Sequence, residues 1–331
     1  MMTNPPQTQQ PFSSPADWGQ LIRDAHARIR SSIAETPLEP APDLIPGISA
    51  TLLLKREDLQ PTGSFKLRGA TSKILSLTNS QAAAGVVAAS NGNHGLGVAE
   101  AARRAGIAAE VYVSSHVSPA KVERIEKLGA RIYRSGSEPL EAEMAARRVA
   151  EKSRKVFISP YNDLEVMAGQ GTIARELEGQ SSSLDAIFVA VGGGGLIGGI
   201  GAYLKCVSPQ TEVVGCWPEN SRVLYESIKA GRILEVPEQP TLSESTAGGL
   251  ESDSVTLGVC RNVIDRSLMV AEDDILEVMR KVRKTKGWLM EGAAAVALAG
   301  FLKEPRRYSG KTVAVVICGG NVSPEVLRQL G

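Results

Sequence analysis

Short apolar runs alternate with amphipathic segments along most of the chain. Runs such as 185–191 and 312–317 are apolar at almost every position, a pattern typical of strands that are buried on both faces. Segments between such runs, for example 18–34, carry apolar residues at helical spacing. This alternation predicts an α/β fold in which helices cover parallel or mostly parallel sheets. The number of predicted strands exceeds one short sheet, so we expect two lobes.

The predicted elements follow one another regularly. Predicted strands are 51–57, 85–90, 110–114, 131–134, 156–160, 185–191, 212–216 and 312–317. Predicted helices are 18–34, 95–104, one between Ser118 as N-cap and Gly129, 138–152, 164–177, one from the glycine run to 205, 223–230, one capped by Asp273, and 291–301. We expect a large domain of 16–75 and 164–331, a small domain of 76–163, and a disordered polar tail over 1–15.

Composition excludes several classes of function. Of the 331 residues, 43% are hydrophobic and 22% are charged, with a net charge of +1, so neither nucleic acid nor a membrane is an expected partner. The amino terminus resembles neither a signal peptide nor a transit sequence, which favours a cytoplasmic protein. The four cysteines form no CxxC pair and the three histidines show no ligand spacing, so we expect no metal site.

Lys66 lies between small residues, just after the strand-like run 51–57 and at the start of a helix-like run. The positive end of a helix disfavours a further positive charge, so an amine held there loses its proton more readily. A lysine that forms a Schiff base needs this property. The alternative is an ordinary surface lysine at a helix start.

Four consecutive glycines, Gly192 to Gly195, follow a predicted buried strand and precede a helix. Such a run lets backbone amides approach an anion closely, and a phosphate suits it. A tight turn is one alternative. A dinucleotide site is another, because Gly193, Gly195 and Gly198 fit G-x-G-x-x-G, but Trp217 and its neighbours occupy the strand end where that site needs an acidic residue.

Two further strand ends carry polar or thiol groups. The loop Ser90–Gly95 can offer amides to a carboxylate and an asparagine side chain to a ring hydroxyl, although Asn-Gly alone is more often a simple turn. His94 fits a structural role as well as a catalytic one. Cys318 ends the last strand, where it is either a small buried hydrophobe or a weak hydrogen-bonding group.

Taken together, the motifs Lys55–Ala70, Ser90–Gly95, Gly192–Leu196 and Cys318–Asn321 resemble those of the pyridoxal-phosphate enzymes of the tryptophan-synthase β fold, fold type II. Within that fold the chain is similar to the serine/threonine dehydratases, and most to the hydroxyectoine-utilisation and catabolic threonine dehydratase-like group. The resemblance implies two lobes with twisted, mostly parallel sheets and a cofactor cleft between them.

The resemblance also implies residue roles. Pyridoxal 5′-phosphate would form a Schiff base with the catalytic Lys66, and the remaining cofactor contacts would be Phe65 near the ring, Asn93 at the ring hydroxyl, Gly192, Gly193, Gly194, Gly195 and Leu196 at the phosphate, Cys318 at the pyridine nitrogen, and Gly249 and Glu291 nearby. The substrate carboxylate would meet Ser64, Ser90, Asn91, Gly92 and His94. Glu291 is open to a second interpretation, as a cap of the helix that follows it.

These roles imply an ammonia-lyase that eliminates water from a β-hydroxy-α-amino acid and yields a 2-oxo acid and ammonia. Lys66 would remove the α-proton, and a neutral Cys318 thiol would favour elimination over transamination. Racemases of this branch carry Ser where Asn91 stands, so we expect little racemisation. His94, where sulfhydrylases usually have Thr, argues against that activity. The segment 217–220 lacks the acidic ligands of metal-activated relatives.

Three alternatives stay open at this point: an amino-acid racemase or other pyridoxal-phosphate enzyme of β-elimination or replacement, a nicotinamide-dependent dehydrogenase, and a non-catalytic binding protein. The expected partners are a small amino-acid substrate and, by resemblance, a second copy of the chain in a homodimer. Threonine, serine, 3-hydroxyaspartate and bulkier relatives are all candidate substrates. The side-chain pocket is expected to draw on 160–163 and 246–249. The chain ends soon after 318–321, so we expect no regulatory domain.

Overall fold

The computed structural model describes residues 15–331. Its ten strands in that range are β1 (Leu38–Pro40), β2 (Thr51–Arg56), β3 (Val86–Ala89), β4 (Ala109–Val113), β5 (Arg131–Arg134), β6 (Val156–Phe157), β7 (Ala186–Ala190), β8 (Glu212–Pro218), β9 (Arg266–Val270) and β10 (Thr312–Ile317). Its α-helices in the same range are α1 (Pro15–Ile29), α2 (Lys66–Leu75), α3 (Asn79–Ala84), α4 (Asn93–Ala105), α5 (Pro119–Glu126), α6 (Pro139–Ser153), α7 (Leu164–Gln180), α8 (Gly195–Val207), α9 (Val223–Ala230), α10 (Thr256–Val263), α11 (Glu272–Lys286), α12 (Gly292–Leu302) and α13 (Pro324–Leu330).

The strands form two separate sheets. The first has six strands in the order β1-β2-β10-β7-β8-β9, and the second has four in the order β5-β4-β3-β6. Only the edge pair β1–β2 is antiparallel among these pairings. The predicted α/β architecture with mostly parallel sheets is therefore confirmed.

Helix α2 lies between the two sheets. Its apolar residues Leu67, Ala70 and Ile74 pack into the core around the second sheet. On another side, the buried Arg68 forms ion pairs with Glu57, which follows β2 of the first sheet, and with α7. Lys66 is the first residue of α2, so the packing of this helix against α4 and α7 fixes its position.

Helix α12 forms part of the core of the first sheet. Its residues from Gly292 to Phe301 are all buried, which agrees with the small, apolar sequence that predicted an interior helix. It packs on the central strands β10, β7 and β8. Glu291 immediately precedes this helix and is therefore held inside the protein rather than at its surface.

Most predicted elements are present, with shifted ends. The prediction that Asp273 caps a helix was wrong, because α11 begins at Glu272 after Ala271 and Asp273 lies in its first turn. The predicted strand 156–160 is shorter and consists of β6 alone. The pattern also missed β1, β9, α3, α10 and α13, each of which has eight residues or fewer.

The predicted tail over 1–15 lies outside the described residues except for Pro15, the first residue of α1. The domain boundaries remain a prediction, although all four strands of the second sheet fall within 76–163. Across residues 15–331, no helix is long and apolar enough to cross a bilayer. In the same range, no group of three or more His, Cys, Asp or Glu side chains is placed to hold a metal ion. All four cysteines are unpaired.

Candidate active site

The carboxyl ends of strands from both sheets open on one cavity of about 590 Å³. Its wall includes Ala89 and Tyr112 from the second sheet and Ala190 and Cys318 from the first. Ligands of open α/β sheets bind at this edge. Among the residues predicted from the sequence, those on the wall are Phe65, Lys66, Ser90, Asn91, Gly192, Gly193, Gly194, Gly195, Leu196, Gly249 and Cys318. Ser64, Gly92, Asn93, His94 and Glu291 lie behind it.

Lys66 presents its amine to this cavity from the first turn of α2. Its Nζ donates a hydrogen bond of 2.8 Å to the carbonyl of Pro160, and no carboxylate forms an ion pair with it among the described residues. Burial lowers the pKa of this amine from 10.5 to about 8, although the neighbouring Cys318 and Glu291 side chains oppose the shift. A substantial fraction of Lys66 is therefore neutral just above neutral pH, as a nucleophile or base requires.

The four-glycine loop joins β7 to α8 and has no room for side chains. A Cβ atom on Gly192 would lie 2.7 Å from the backbone of Thr246, and one on Gly193 would lie 2.5 Å from the Tyr161 ring. Gly194 has a positive φ of 86°, and its Cβ would also meet Leu224 at 2.7 Å. Only glycine fits, and the first amides of α8 point from this loop without helical partners, which makes it an anion cradle.

The buried side chains of Asn93 and Glu291 form a polar cluster with Ser245, which lines the cavity. The Nδ2 of Asn93 donates to Glu291 at 2.8 Å and to Ser245 at 3.3 Å, while its Oδ1 accepts from Asn321 at 2.7 Å. Burial raises the pKa of Glu291 to about 7, against the lowering effect of the bond from Asn93. Glu291 makes no capping bond to α12, so its carboxylate serves this cluster instead.

Cys318 lies at the end of β10, where its thiol reaches the cavity wall. Burial, with the charge of Glu291 as the next contribution, raises the pKa of this thiol well above its usual value. Its Sγ donates to Glu291 at 3.9 Å. The side chain is therefore a neutral thiol, as the sequence argument required for the group facing a pyridine nitrogen.

The loop before α4 uses its side chains for structure and leaves its amides for a ligand. Asn91 exchanges two hydrogen bonds of 2.9 Å with Ser114, one through its Nδ2 and one through its Oδ1. The Nε2 of His94 lies 2.8 Å from the carbonyl of Ile158. Burial, followed by the nearby charge of Lys66, lowers the pKa of His94 to about 3, so His94 is neutral and donates to Ile158. Amides at the start of α4 stay available to a carboxylate.

Tyr161 and Glu251 build another side of the cavity; the sequence placed Tyr161 in the segment 160–163 expected to line the pocket but did not single out Glu251. The Tyr161 ring packs against the glycine loop, and its hydroxyl accepts the Glu251 amide at 2.9 Å. The Glu251 carboxylate receives Asn162 at 3.0 Å and Arg147 at 2.7 Å. Tyr161 follows a predicted strand, and this position indicated that it could reach the site. Glu251 follows no strand, so the sequence carried no such signal for it.

The residues present fit pyridoxal phosphate. An amine with a lowered pKa suits its aldehyde, the glycine cradle suits its phosphate, and the neutral thiol suits its ring nitrogen. The hydroxyl of Ser64 is buried without a hydrogen-bond partner, although Ser64 directly precedes Phe65 and Lys66. A buried hydroxyl without a partner is costly, so a bound ligand with an acceptor would stabilise it.

Comparisons with known proteins agree with this chemistry. Residues 29–319 match the family model described as pyridoxal-phosphate dependent enzyme. The L-threonine ammonia-lyase of Thermotoga maritima is 35% identical over 309 residues, which cover 93% of this chain and 77% of that protein. The beta-hydroxyaspartate dehydratase of Paracoccus denitrificans is 34% identical over 303 residues, or 92% of this chain and 96% of that protein. The structure of maize serine racemase matches with a TM-score of 0.88 and 30% identity, covering 94% of this chain and 95% of that one.

Proposed function

Because this chain belongs to the family of pyridoxal-phosphate-dependent enzymes, we propose that it is an ammonia-lyase that eliminates water from a β-hydroxy-α-amino acid. Its cofactor is pyridoxal 5′-phosphate, and its products are a 2-oxo acid and ammonia. The single observation that carries the proposal is the partly neutral amine of Lys66 in one cavity with the four-glycine loop. An amine and an anion cradle on one cavity suit the aldehyde and the phosphate of this cofactor.

The chain's own residues divide the work of holding the cofactor. Lys66 would attach it through Nζ, the amides of Gly192 to Leu196 would bind its phosphate, and Phe65 and Gly249 would lie along its ring. Asn93 would contact the ring hydroxyl and Cys318 the ring nitrogen, with Glu291 supporting both. The bound cofactor supplies an electron sink for the charge left when a proton leaves the α-carbon of an amino acid.

The substrate meets a second set of groups. The amides at the start of α4 and the side chains of Ser64 and Ser90 would bind its α-carboxylate, and Asn91, Gly92 and His94 would shape the same loop. Lys66 takes the α-proton at Nζ, since its pKa of about 8 leaves much of the amine unprotonated near the operating pH. The neutral Cys318 thiol cannot protonate a ring nitrogen strongly, which favours loss of the β-hydroxyl over transamination.

Asn91 supports elimination over racemisation. An amide neither gives nor takes a proton in catalysis, and both ends of this one are bonded to Ser114. A racemase needs a second acid or base on the face opposite the lysine. We therefore expect D-amino acids to form far more slowly than 2-oxo acid.

A direct experiment is to incubate the purified, cofactor-loaded protein with threonine, serine and other β-hydroxyamino acids and to measure ammonia and 2-oxo acid. We expect equimolar products, a yellow protein whose absorbance changes on borohydride treatment, and loss of both activity and reducible colour in Lys66→Ala. A colourless protein that binds a nicotinamide nucleotide at the glycine loop would overturn the proposal.

We further propose a cytoplasmic homodimer with a large domain of 16–75 and 164–331 and a small domain of 76–163. The family resemblance supports the dimer, and the division of strands between two sheets supports the domains. Sedimentation equilibrium of the loaded enzyme tests the dimer. Limited proteolysis, with cleavage sites mapped by mass spectrometry, tests whether cuts cluster near 75 and 163.

A further inference from the structure

The cavity extends beyond the cofactor residues along α6 and the segment 234–251, where its wall combines apolar side chains and the hydroxyl-bearing Ser245 and Thr246 with carboxylates. Its apolar members include Tyr112, Leu140, Val236 and Leu250. Its charged members are three glutamates, Glu143, Glu235 and Glu251. Among the described residues that line the cavity, Lys66 is the one cationic side chain, and the reaction already uses it.

The nearest other cation is held away from the cavity. Arg147 lies outside the wall and donates to Glu143 at 2.9 Å and to Glu251 at 2.7 Å. Two carboxylates thus share one guanidinium, and Glu235 has no ion pair in residues 15–331. The sum of Glu143, Glu235, Glu251 and Arg147 is three negative charges and one positive charge, so the side-chain end of the cavity is negative.

The backbone of one of these glutamates, Glu251, is hydrogen-bonded to the residue that follows the Lys66 partner Pro160. The carbonyl that accepts from Lys66 belongs to Pro160, and the next residue, Tyr161, accepts the amide of Glu251 at its hydroxyl. After burial, the charges of Glu251 and Glu143 both contribute to the raised pKa of Tyr161. Among residues 15–331, the wall available to the side chain of an amino acid held at Lys66 therefore carries three carboxylates and no cation besides Lys66 itself.

We propose that this end of the cavity selects substrates by charge, so that it accepts neutral or amino-bearing side chains and rejects a second carboxylate such as that of 3-hydroxyaspartate. The inference rests on the proposed function and narrows its substrate class. A carboxylate that loses water on binding needs a cationic or hydrogen-bonding partner, and like charges that line one cavity repel each other. The beta-hydroxyaspartate dehydratase from Paracoccus denitrificans, at 34% identity, therefore does not define the substrate of this chain.

The test compares three substrates of similar length: 3-hydroxyaspartate, its neutral isostere 3-hydroxyasparagine, and 2,4-diamino-3-hydroxybutyrate. We expect kcat/KM for 3-hydroxyaspartate to be lower than for each of the others by about tenfold or more. Equal or higher kcat/KM for 3-hydroxyaspartate would overturn the inference. Titration of the bound cofactor's absorbance with each compound measures the affinities of the three compounds, which we expect to follow the same order. A protein that binds them without lyase activity would refute the proposed function and would still test the charge selection.

Two variants locate the effect. Glu143→Gln keeps the shape of the side chain and is expected to reduce the discrimination between 3-hydroxyaspartate and 3-hydroxyasparagine by about threefold or more. Leu140→Arg adds a cation at a wall position that is 67% exposed, and is expected to raise kcat/KM for 3-hydroxyaspartate alone. Glu123→Gln, which removes a surface ion pair between α5 and Lys127, is the matched control. It should change neither the discrimination between the two substrates nor kcat/KM for 3-hydroxyaspartate. If Glu143→Gln and Leu140→Arg leave the ranking unchanged, the glutamates do not set it.

Discussion

At the scale of single residues, Lys66 is the group whose chemistry could be inferred from sequence in most detail. Its place at a helix start predicted a lowered pKa, and the structure gives the same direction. The larger cause is burial, which no local pattern reveals, because the cavity wall comes from residues far apart in sequence. The reactivity of this amine therefore follows from enclosure.

The pH dependence of Lys66 can be measured directly in the cofactor-free protein. An amine reacts with an acylating reagent only when neutral, so labelling of Lys66 should rise with a midpoint near pH 8, about two units below an ordinary lysine. Mass spectrometry after brief labelling across pH 6–11 measures it, with the exposed Lys127 in the same sample as the internal control. Parallel labelling curves for the two lysines would show that Lys66 is not perturbed.

Glu291 is the residue whose role the sequence left open. Glu291 does not cap α12 in the structure. Its buried carboxylate instead accepts hydrogen bonds from Asn93 and Cys318. The sequence could not predict this, because the partners come from α4 and from the end of β10, about 198 and 27 residues away.

The raised pKa of Glu291 has a consequence for stability. Burial raises the pKa of this carboxyl group to about 7 in the folded protein, above its value in the unfolded chain. Its protonated form therefore contributes fully to stability below the unfolded pKa, and this contribution is lost as the pH rises through 7. Glu291→Gln keeps an acceptor for Asn93 but does not titrate. We therefore expect its free energy of unfolding to rise relative to that of the wild type by about 1–3 kcal/mol between pH 4.5 and 8. Urea unfolding of both cofactor-free proteins at several pH values gives the difference. A constant difference across that range would mean that Glu291 titrates normally.

At the scale of elements, strands that are apolar on both faces could be predicted well, whereas short elements could not. β10 has the predicted ends, and β7 lies within its predicted range, since burial on both faces leaves a continuous apolar run. β1 has three residues and ends in Pro40, too short and too irregular to show a pattern. Its pairing with β2 depends on the neighbouring strand and not on its own sequence.

The glycine loop before α8 gives a prediction at this scale. Gly194→Ala combines a positive φ of 86° with a Cβ that would meet Leu224 at 2.7 Å and Cys260 at 2.8 Å. We expect it to weaken cofactor binding at least tenfold because the loop must move to relieve the contact. Gly106→Ala is the matched control, with a φ of 67° and no atom within 4 Å of the added Cβ. Fluorescence titration with pyridoxal phosphate compares them; equal affinity would mean that the loop is not the phosphate cradle.

The buried ion pairs that hold α2 give a second prediction at the scale of elements. Arg68 is fully buried between Glu57 and Glu176, so Arg68→Met leaves Glu57 without its ion-pair partner and leaves Glu176 with Lys55 alone. Removing one partner of a buried pair costs about 3–5 kcal/mol, and we expect a loss in that range by urea unfolding. Arg103→Met, which removes an exposed arginine from Glu100 on α4 and leaves Arg104 as its partner, should change stability far less. Similar losses in the two variants would show that the buried network does not anchor the helix.

At the scale of the whole molecule, the site belongs to neither sheet alone. The second sheet contributes the loop before α4, the first contributes the glycine loop and Cys318, and α2 brings Lys66 between them. The order of motifs in the sequence indicated this convergence, because each follows a strand and parallel strands end at one edge. The cluster of Glu143, Arg147 and Glu251 was not predictable, since it joins α6 to a segment without strand or helix.

If one ligand bridges both sheets, cofactor loading should protect both sides of the cavity at once. Amide hydrogen exchange in 90–95 and in 192–196 is expected to slow together when pyridoxal phosphate is added, because the ligand stabilises the closed arrangement of both loops. The helix α13, outside the cavity, serves as the internal control and should exchange at the same rate in both states. In Lys66→Ala, whose covalent link is lost, the protection of 90–95 should fall more than that of 192–196, since the phosphate cradle remains. Protection confined to 192–196 in the wild type would mean that the phosphate alone is held and that the two sheets do not share the cofactor.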